Sequence, residues 1–178
     1  MAVIKVIKHH PSLNLEGKTV YRTAVWAIIQ HENKLLLTYS PVNGDYKFPG
    51  GGVKKGESLE QALLREVREE SGIECIQILE AFGEIIEYNR PKESKFDVFC
   101  MTSYYYRCLV EFHVTFLPQI LDNYERELGF LPVWVEIDQA IQTNWSILQG
   151  DATKIPRWTA RDNSIIELIK SEYVPDKE

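Results

Sequence analysis

Residues 51–73 read GGVKKGESLEQALLREVREESGI, and the rest of the chain is organised around this stretch. Ser58 and Gln61 have the spacing of a capping box, so a helix is expected to begin directly after Ser58. Gly72 stands where a residue in the left-handed conformation commonly ends a helix. The stretch therefore predicts a helix over residues 59–71.

One face of this helix changes character along its length. At 100° per residue, one stripe contains three apolar residues followed by two glutamates: Leu59, Ala62, Leu63, Glu66 and Glu70. The apolar turns are expected to pack on a core, whereas the last turns bring carboxylates close together. Like charges at this spacing repel one another, and partial burial adds to the cost.

These carboxylates predict a metal site. A divalent cation would remove both penalties at once, and clustered oxygens suit Mg²⁺, with Mn²⁺ as the second choice. Glu69 lies on the flank of the stripe and is a further candidate ligand. The alternative is an acidic helix end that is simply solvated. Because a neutral amide would relieve the repulsion, Glu70→Gln is expected to be neutral or stabilising when Mg²⁺ is absent.

The residues from Gly51 to Ile73 follow the pattern Gly-x5-Glu-x7-Arg-Glu-apolar-x-Glu-Glu-x-Gly-apolar. This pattern resembles the Nudix box, the signature of the Nudix hydrolase family, with every position filled. The resemblance implies an α/β fold, namely an α/β/α sandwich with a mixed β-sheet between helices. It also implies a metal-dependent diphosphatase (pyrophosphohydrolase) that cleaves a nucleoside diphosphate linked to another moiety.

The resemblance further implies a ligand set for the metal. Three consecutive glycines precede the helix, and glycines let the backbone approach an ion closely. In the family, a glycine carbonyl of this loop joins the metal. The implied ligands are Gly50, Glu66, Glu69 and Glu70.

Three other residues receive roles around this site. Arg22 opens the first long strand, where the resemblance implies a contact with substrate phosphates; an exposed charge at a strand end is the alternative. Glu57 and Arg65 are expected to brace the loop and helix that carry the metal ligands.

The general base that activates water has two candidates. Glu69 is one, although a metal ligand would be unavailable for proton transfer. In the family, a carboxylate from the loop before a late strand often serves as the base or as an extra ligand. Glu125 is that candidate here, Glu127 is the reserve, and a solvated loop acid is the alternative.

Length and composition indicate one soluble domain over residues 1–178. The chain of 178 residues is 44% hydrophobic and 26% charged, as is usual for globular proteins. Its formal net charge of −6 argues against a nucleic-acid polymer as partner, but not against a small nucleotide. The sequence leaves a homodimer open.

The sequence also predicts a cytoplasmic protein. Its first residues contain lysines within their apolar stretch, which is a poor signal peptide and a better edge strand. No run approaches the ~20 apolar residues of a membrane span, so no membrane partner is expected. The three cysteines form no C-x-x-C pair and are expected to be buried thiols: Cys75, Cys100 and Cys108.

The remaining elements follow from periodicity and turn residues. Strands are predicted at residues 1–9, 20–30, 35–39, 76–88 (one or two strands), 96–110 and 132–135, with residues 112–117 extending or following the fifth. Loops are predicted at residues 11–18, 40–46, 89–95, 121–129 and 143–156. Further helices are expected after Asp138 and Thr159, each as an N-cap, and the tail from Val174 to Glu178 is expected to fray.

Three functions remain in competition. The first is hydrolysis of a small nucleotide, either a modified nucleoside triphosphate or a nucleotide sugar such as ADP-ribose. The second is a non-catalytic nucleotide-binding regulator on the same fold, which would have no need to keep every carboxylate of the box. The third is an isomerase of prenyl diphosphates, which would need a cysteine and acid pair that three core cysteines do not supply.

Overall fold

The computed structural model describes residues 1–111, 113 and 115–172. In this part of the chain, four helices flank an eight-stranded sheet. The strands are β1 (Val3–Lys8), β2 (Thr19–His31), β3 (Lys34–Ser40), β4 (Asp45–Lys47), β5 (Gly50–Gly52), β6 (Gln77–Asn89), β7 (Val98–Leu109) and β8 (Leu131–Glu136). The helices are α1 (Leu59–Ser71), α2 (Asn123–Leu128), α3 (Ile137–Leu148) and α4 (Thr159–Glu172). Parts of the predicted 112–117 extension and the whole tail from Val174 to Glu178 lie outside the described residues.

The sheet is mixed. Its order is β1-β6-β7-β2-β3-β4, while β5 pairs with β2 and β8 pairs with β3. The pairs β1/β6 and β2/β7 are parallel, and the other pairs are antiparallel. Strand β1 lies at the edge, as predicted, and the described helices include none long and apolar enough to span a membrane.

Strand β2 is buried on both faces and forms the centre of two cores. One core joins alternate β2 residues to α1: Val25, Ala27 and Ile29 with Ala62, Leu63 and Val67. The other joins the intervening β2 residues to α3 and α4: Ala24, Trp26 and Ile28 with Ala140, Ile165 and Ile169. Helices therefore cover both faces of the sheet, which confirms the α/β/α sandwich.

Helix α1 begins and ends where the sequence predicted. The hydroxyl of Ser58 accepts from Gln61 N at 3.1 Å, and the Gln61 side chain accepts from Ser58 N at 2.9 Å. Gly72 ends the helix with a φ of 72°. Because these signals are local, the sequence is sufficient to place both ends.

The predicted acidic loop at residues 121–129 is instead the short helix α2. Asp122 and Glu125 form a second capping box, with N···O distances of 2.8 Å in both directions. Gly129 ends this helix in the left-handed conformation, with a φ of 67°. The spacing of Asp122, Glu125 and Gly129 was therefore a helix signal that the loop assignment missed.

Five other predictions about local structure are wrong. The N-cap of α3 is Glu136 rather than Asp138, which lies in the first turn, and α3 continues into the predicted connector as far as Leu148. The hydroxyl of Thr159 donates to Asp45 Oδ2 at 2.7 Å, because Thr159 already lies within α4. The end of the predicted 40–46 loop contributes to β4. Cys75 is exposed, whereas the other two cysteines are buried as expected.

A buried polar network fastens α4 to the segment before the glycines. Arg161 Nε donates to Asp162 Oδ1 at 2.7 Å, and Tyr105 donates its hydroxyl to the same oxygen at 2.8 Å. The second oxygen of Asp162 accepts from Phe48 N at 3.1 Å. All four residues are buried, so this network fixes the backbone that enters the glycine run.

Candidate active site

The glycine run passes so close to β2 and α1 that side chains would not fit. Gly50 has a φ of 148°, and a Cβ on it would lie 2.1 Å from the carbonyl oxygen of Val25. A Cβ on Gly51 would lie 2.5 Å from Glu66 Oε2. Glycine is therefore required at position 50, where a Cβ would meet backbone, whereas a side chain at position 51 would displace the carboxylate of Glu66.

Glu70 is the most deeply buried carboxylate of α1, with 2% of its surface exposed. Lys47 Nζ donates to both of its carboxylate oxygens, at 2.7 and 2.9 Å, and Gly50 N donates to Oε2 at 3.0 Å. Burial raises the pKa of Glu70 to about 7, and the Lys47 ammonium and the Gly50 N–H oppose this rise. The backbone N–H of Gly50 thus contacts the same carboxylate oxygen as Lys47.

Lys47 is the residue of this site to which sequence reasoning gave no role. It is 5% exposed, and its ammonium lies 5.2 Å from the centroid of a Trp26 ring and 4.9 Å from that of the Phe130 ring. A lysine between Tyr46 and Phe48, beside a glycine run, was a signal, since lysines are rarely buried without a partner.

Arg65 connects the remaining acidic side chains. It donates to both oxygens of Glu57, at 2.6 and 2.8 Å, and also to the carbonyl of Gly52 at 3.0 Å. Its Nη1 donates to Glu66 Oε1 at 2.6 Å and to Glu69 Oε2 at 3.0 Å. The hydrogen bonds from Arg65 hold the pKa of Glu57 down to about 2, whereas burial raises the pKa of Glu66.

The chemistry of these oxygens fits a hard divalent cation. Carboxylates and a glycine carbonyl are the ligands that Mg²⁺ and Mn²⁺ prefer. Among the described residues, however, no three acidic, histidine or cysteine side chains already surround one point as a metal cluster. Cations of the chain neutralise the carboxylates instead, with Arg65 on Glu66 and Glu69 and Lys47 on Glu70.

The structure places Arg22 beside the glycine run and Glu125 within electrostatic range of Glu70 on α1. Arg22 is exposed near the start of β2, and its Nη2 would lie 2.8 Å from a Cβ on Gly52. Glu125 is half-buried in α2, and after burial its charge is among the causes that raise the pKa of Glu70. The two carboxylates are therefore within electrostatic reach, whereas Glu127 is exposed.

Residues 115–122 wrap around the C-terminal end of α1, which the sequence did not predict. Leu117 N donates to Gly72 O at 3.0 Å, and Ile120 N donates to Glu69 O at 2.8 Å. The amide of Gln119 donates to Glu70 O and, at 3.0 Å, to Phe130 O. Carbonyls at a helix end lack intrahelical partners, so this segment satisfies them and ties α1 to the region of α2.

Gln119→Ala is expected to destabilise the protein by about 1–3 kcal/mol, because both carbonyls lose a donor. The free energy of unfolding, obtained from urea titration, measures the effect. Gln149→Ala, at an exposed glutamine that follows α3, is the matched control and is expected to change little. Equal stability of the Gln119→Ala variant and the wild type would show that the amide does not stabilise the helix end.

The comparison with known families agrees with this arrangement. The sequence model of the NUDIX domain matches residues 20–157, which include β2, the glycine run and α1. The chain belongs to the NUDIX family.

Several curated NUDIX relatives match over part of their length. An RNA pyrophosphohydrolase from a Nitratiruptor species is 39% identical over 82 residues, which are 43% of this chain and 53% of that protein. The CTP pyrophosphohydrolase of Escherichia coli is 48% identical over 55 residues, which are 29% of this chain and 41% of that protein. The chain spans about half the length of the curated relatives that it matches.

Several solved structures share the fold. A NUDIX hydrolase from Nitrosomonas europaea has a TM-score of 0.54 and 23% identity, covering 88% of this chain and 93% of that one. The Ap4A hydrolase of C. elegans has a TM-score of 0.52 and 17% identity, covering 87% of this chain and 100% of that one. At such identities the likeness concerns the fold alone.

Proposed function

We propose that this NUDIX protein hydrolyses a diphosphate linkage in a small nucleotide and uses a divalent cation, Mg²⁺ or Mn²⁺. The observation that supports this most is the placement of Glu66 and Glu70 of α1 against the glycine run. Arg65 joins Glu69 to Glu66 beside them. These carboxylates and the carbonyl of Gly50 would hold the cation. When bound, the cation would neutralise charge on the phosphate oxygens and lower the pKa of water.

The chain's own residues would supply the rest of the chemistry. Arg22, exposed beside Gly52, would bind phosphate oxygens as a fork of donors. Glu125 would take the proton of the attacking water, with Glu69 as the alternative base. The Glu57–Arg65 pair would fix the loop against the helix so that the metal ligands keep their positions.

Two substrate classes are proposed. A modified nucleoside triphosphate or a nucleotide sugar suits an acidic protein with a net charge of −6. The relatives named RNA pyrophosphohydrolase favour a second substrate, the 5′-triphosphate end of an RNA. A nucleotide-binding regulator without catalysis is the alternative function.

A Mg²⁺-dependent screen tests these proposals. Nucleoside triphosphates, nucleotide sugars, dinucleotides and a 5′-triphosphorylated RNA are incubated with the wild type and with Glu66→Gln, and the released phosphate species are identified. We expect the wild type to hydrolyse a substrate when Mg²⁺ is present and not when it is absent. We expect no hydrolysis by Glu66→Gln. Nucleotide binding without turnover of any substrate would support the regulator instead.

A further inference from the structure

The ammonium of Lys47 contacts the two most buried of the proposed metal ligands, Glu70 and the carbonyl of Gly50. Its Nζ is 2.7 and 2.9 Å from the carboxylate oxygens of Glu70 and 3.4 Å from the carbonyl oxygen of Gly50. A divalent cation on this side of the site would need the same oxygens. Lys47 contacts both carboxylate oxygens of Glu70, so a divalent cation cannot bind these oxygens while all of the Lys47 contacts remain.

The surroundings of Lys47 make this contact strong. Lys47 and Glu70 are 5% and 2% exposed, so water provides little alternative hydration for either charge. Hydrogen bonds between charged groups are stronger than neutral ones, and a low dielectric strengthens them further. Displacing the ammonium from Glu70 is therefore unfavourable in free energy, and metal binding would have to offset this.

The ammonium also has partners that do not involve Glu70. The rings of Trp26 and Phe130 lie within 5.2 and 4.9 Å of Nζ, and the carbonyl of Phe48 lies at 3.5 Å. Cation–π contacts of this length are attractive, especially in a desolvated place. Lys47 would thus remain bound beside the site after it releases the carboxylate.

We propose that Lys47 competes with the divalent cation for Glu70 and the Gly50 carbonyl, and so sets the cation concentration at which the site fills. The inference rests on the proposed function, because it requires Glu70 to be a metal ligand. Arg65 plays a different part, since its bonds to Glu57 and Gly52 hold it in place whether or not it contacts Glu66. Lys47 is the cation whose main partner is a proposed ligand.

The dissociation constant of Mn²⁺, measured by electron paramagnetic resonance of free Mn²⁺, tests this proposal. In Lys47→Met the apolar stem remains and the competitor is gone, so Mn²⁺ is expected to bind on the order of 10- to 100-fold more tightly. Lys54→Met is the matched control. Lys54 Nζ lies 3.9 Å from Glu69 Oε1 and its side chain is 63% exposed, so its loss is expected to change the constant less than about fivefold.

Each outcome of the titration has one meaning. Equal Mn²⁺ affinity of Lys47→Met and the wild type overturns the competition, and the proposed function stands if Glu70→Gln weakens Mn²⁺ binding. Equal affinity of Glu70→Gln and the wild type places the metal away from Glu70 and overturns both the competition and the proposed ligand set.

A second measurement on the wild type avoids any dependence on the folding of Lys47→Met. The Nζ resonance of Lys47, assigned by nuclear magnetic resonance, is followed while diamagnetic Mg²⁺ is added. We expect this resonance to move or broaden as the site fills, while the Lys54 resonance changes little. An unchanged Lys47 resonance at a Mg²⁺ concentration that saturates the protein would overturn the competition.

Discussion

Glu70→Gln is expected to lower kcat about 10³-fold and to destabilise the protein by about 3 kcal/mol. The loss of activity follows from the weaker binding of a cation by a neutral amide, since a cation supplies several kcal/mol of transition-state stabilisation. The loss of stability follows from Lys47, which is buried and would lose its ionised partner. Breaking a buried pair costs about 3–5 kcal/mol, and the amide oxygen still accepts one hydrogen bond from Lys47, so the lower end applies.

Steady-state hydrolysis with saturating Mg²⁺ measures the first effect, and urea unfolding with a chelator measures the second. Glu60→Gln is the matched control, because Glu60 is an exposed glutamate in the first turn of the same helix. It is expected to change neither quantity appreciably. If Glu70→Gln keeps nearly full turnover, Glu70 is not a metal ligand.

This expectation reverses the sign of the one drawn from the sequence. Repulsion among the carboxylates of α1 suggested that a neutral amide at position 70 would be neutral or stabilising without Mg²⁺. That reasoning counted only the charges on the helix, whereas Lys47 on β4 and Gly50 N already satisfy the carboxylate. Position 47 precedes position 70 by 23 residues, and nothing in a helical repeat reports a contact at that separation.

The parts that the sequence predicted depend on local signals. The limits of α1 follow from Ser58, Gln61 and Gly72, which act within one or two turns. The burial of β2 on both faces follows from its continuous apolar run. The α/β/α order of the layers came instead from the resemblance carried by the box, since periodicity alone does not order strands in a sheet.

Two structural features were not predicted from the sequence. One depends on tertiary contacts, and the other on a capping box within an acidic segment. The wrap of residues 115–122 around α1 is made by backbone groups and by Gln119, which leave no pattern in the sequence. Helix α2 was hidden because its capping box lies among charged residues with little apolar periodicity. The extent of one domain over residues 1–178 and a cytoplasmic location stay predictions.

Glu125→Gln is expected to lower kcat by about 10²- to 10⁴-fold, the usual range for the loss of a general base. The structure indicates that this substitution would leave helix α2 intact. Glu125 is the third residue of a capping box with Asp122, and glutamine serves in that position as well as glutamate does. The helix should therefore keep its form while the site loses a proton acceptor, so KM and the Mg²⁺ dependence are expected to change little.

Glu127→Gln is the control that distinguishes a general base at position 125 from a general effect of acidic charge on α2. Glu127 lies on the same short helix but is exposed, whereas Glu125 is half-buried and its charge acts on Glu70. A large fall in kcat for Glu125→Gln, with near wild-type kcat for Glu127→Gln, assigns the proton transfer to position 125. Equal and mild effects of the two changes would mean that α2 carries only solvated charge. The base would then have to be sought at Glu69, whose carboxylate Arg65 holds beside Glu66.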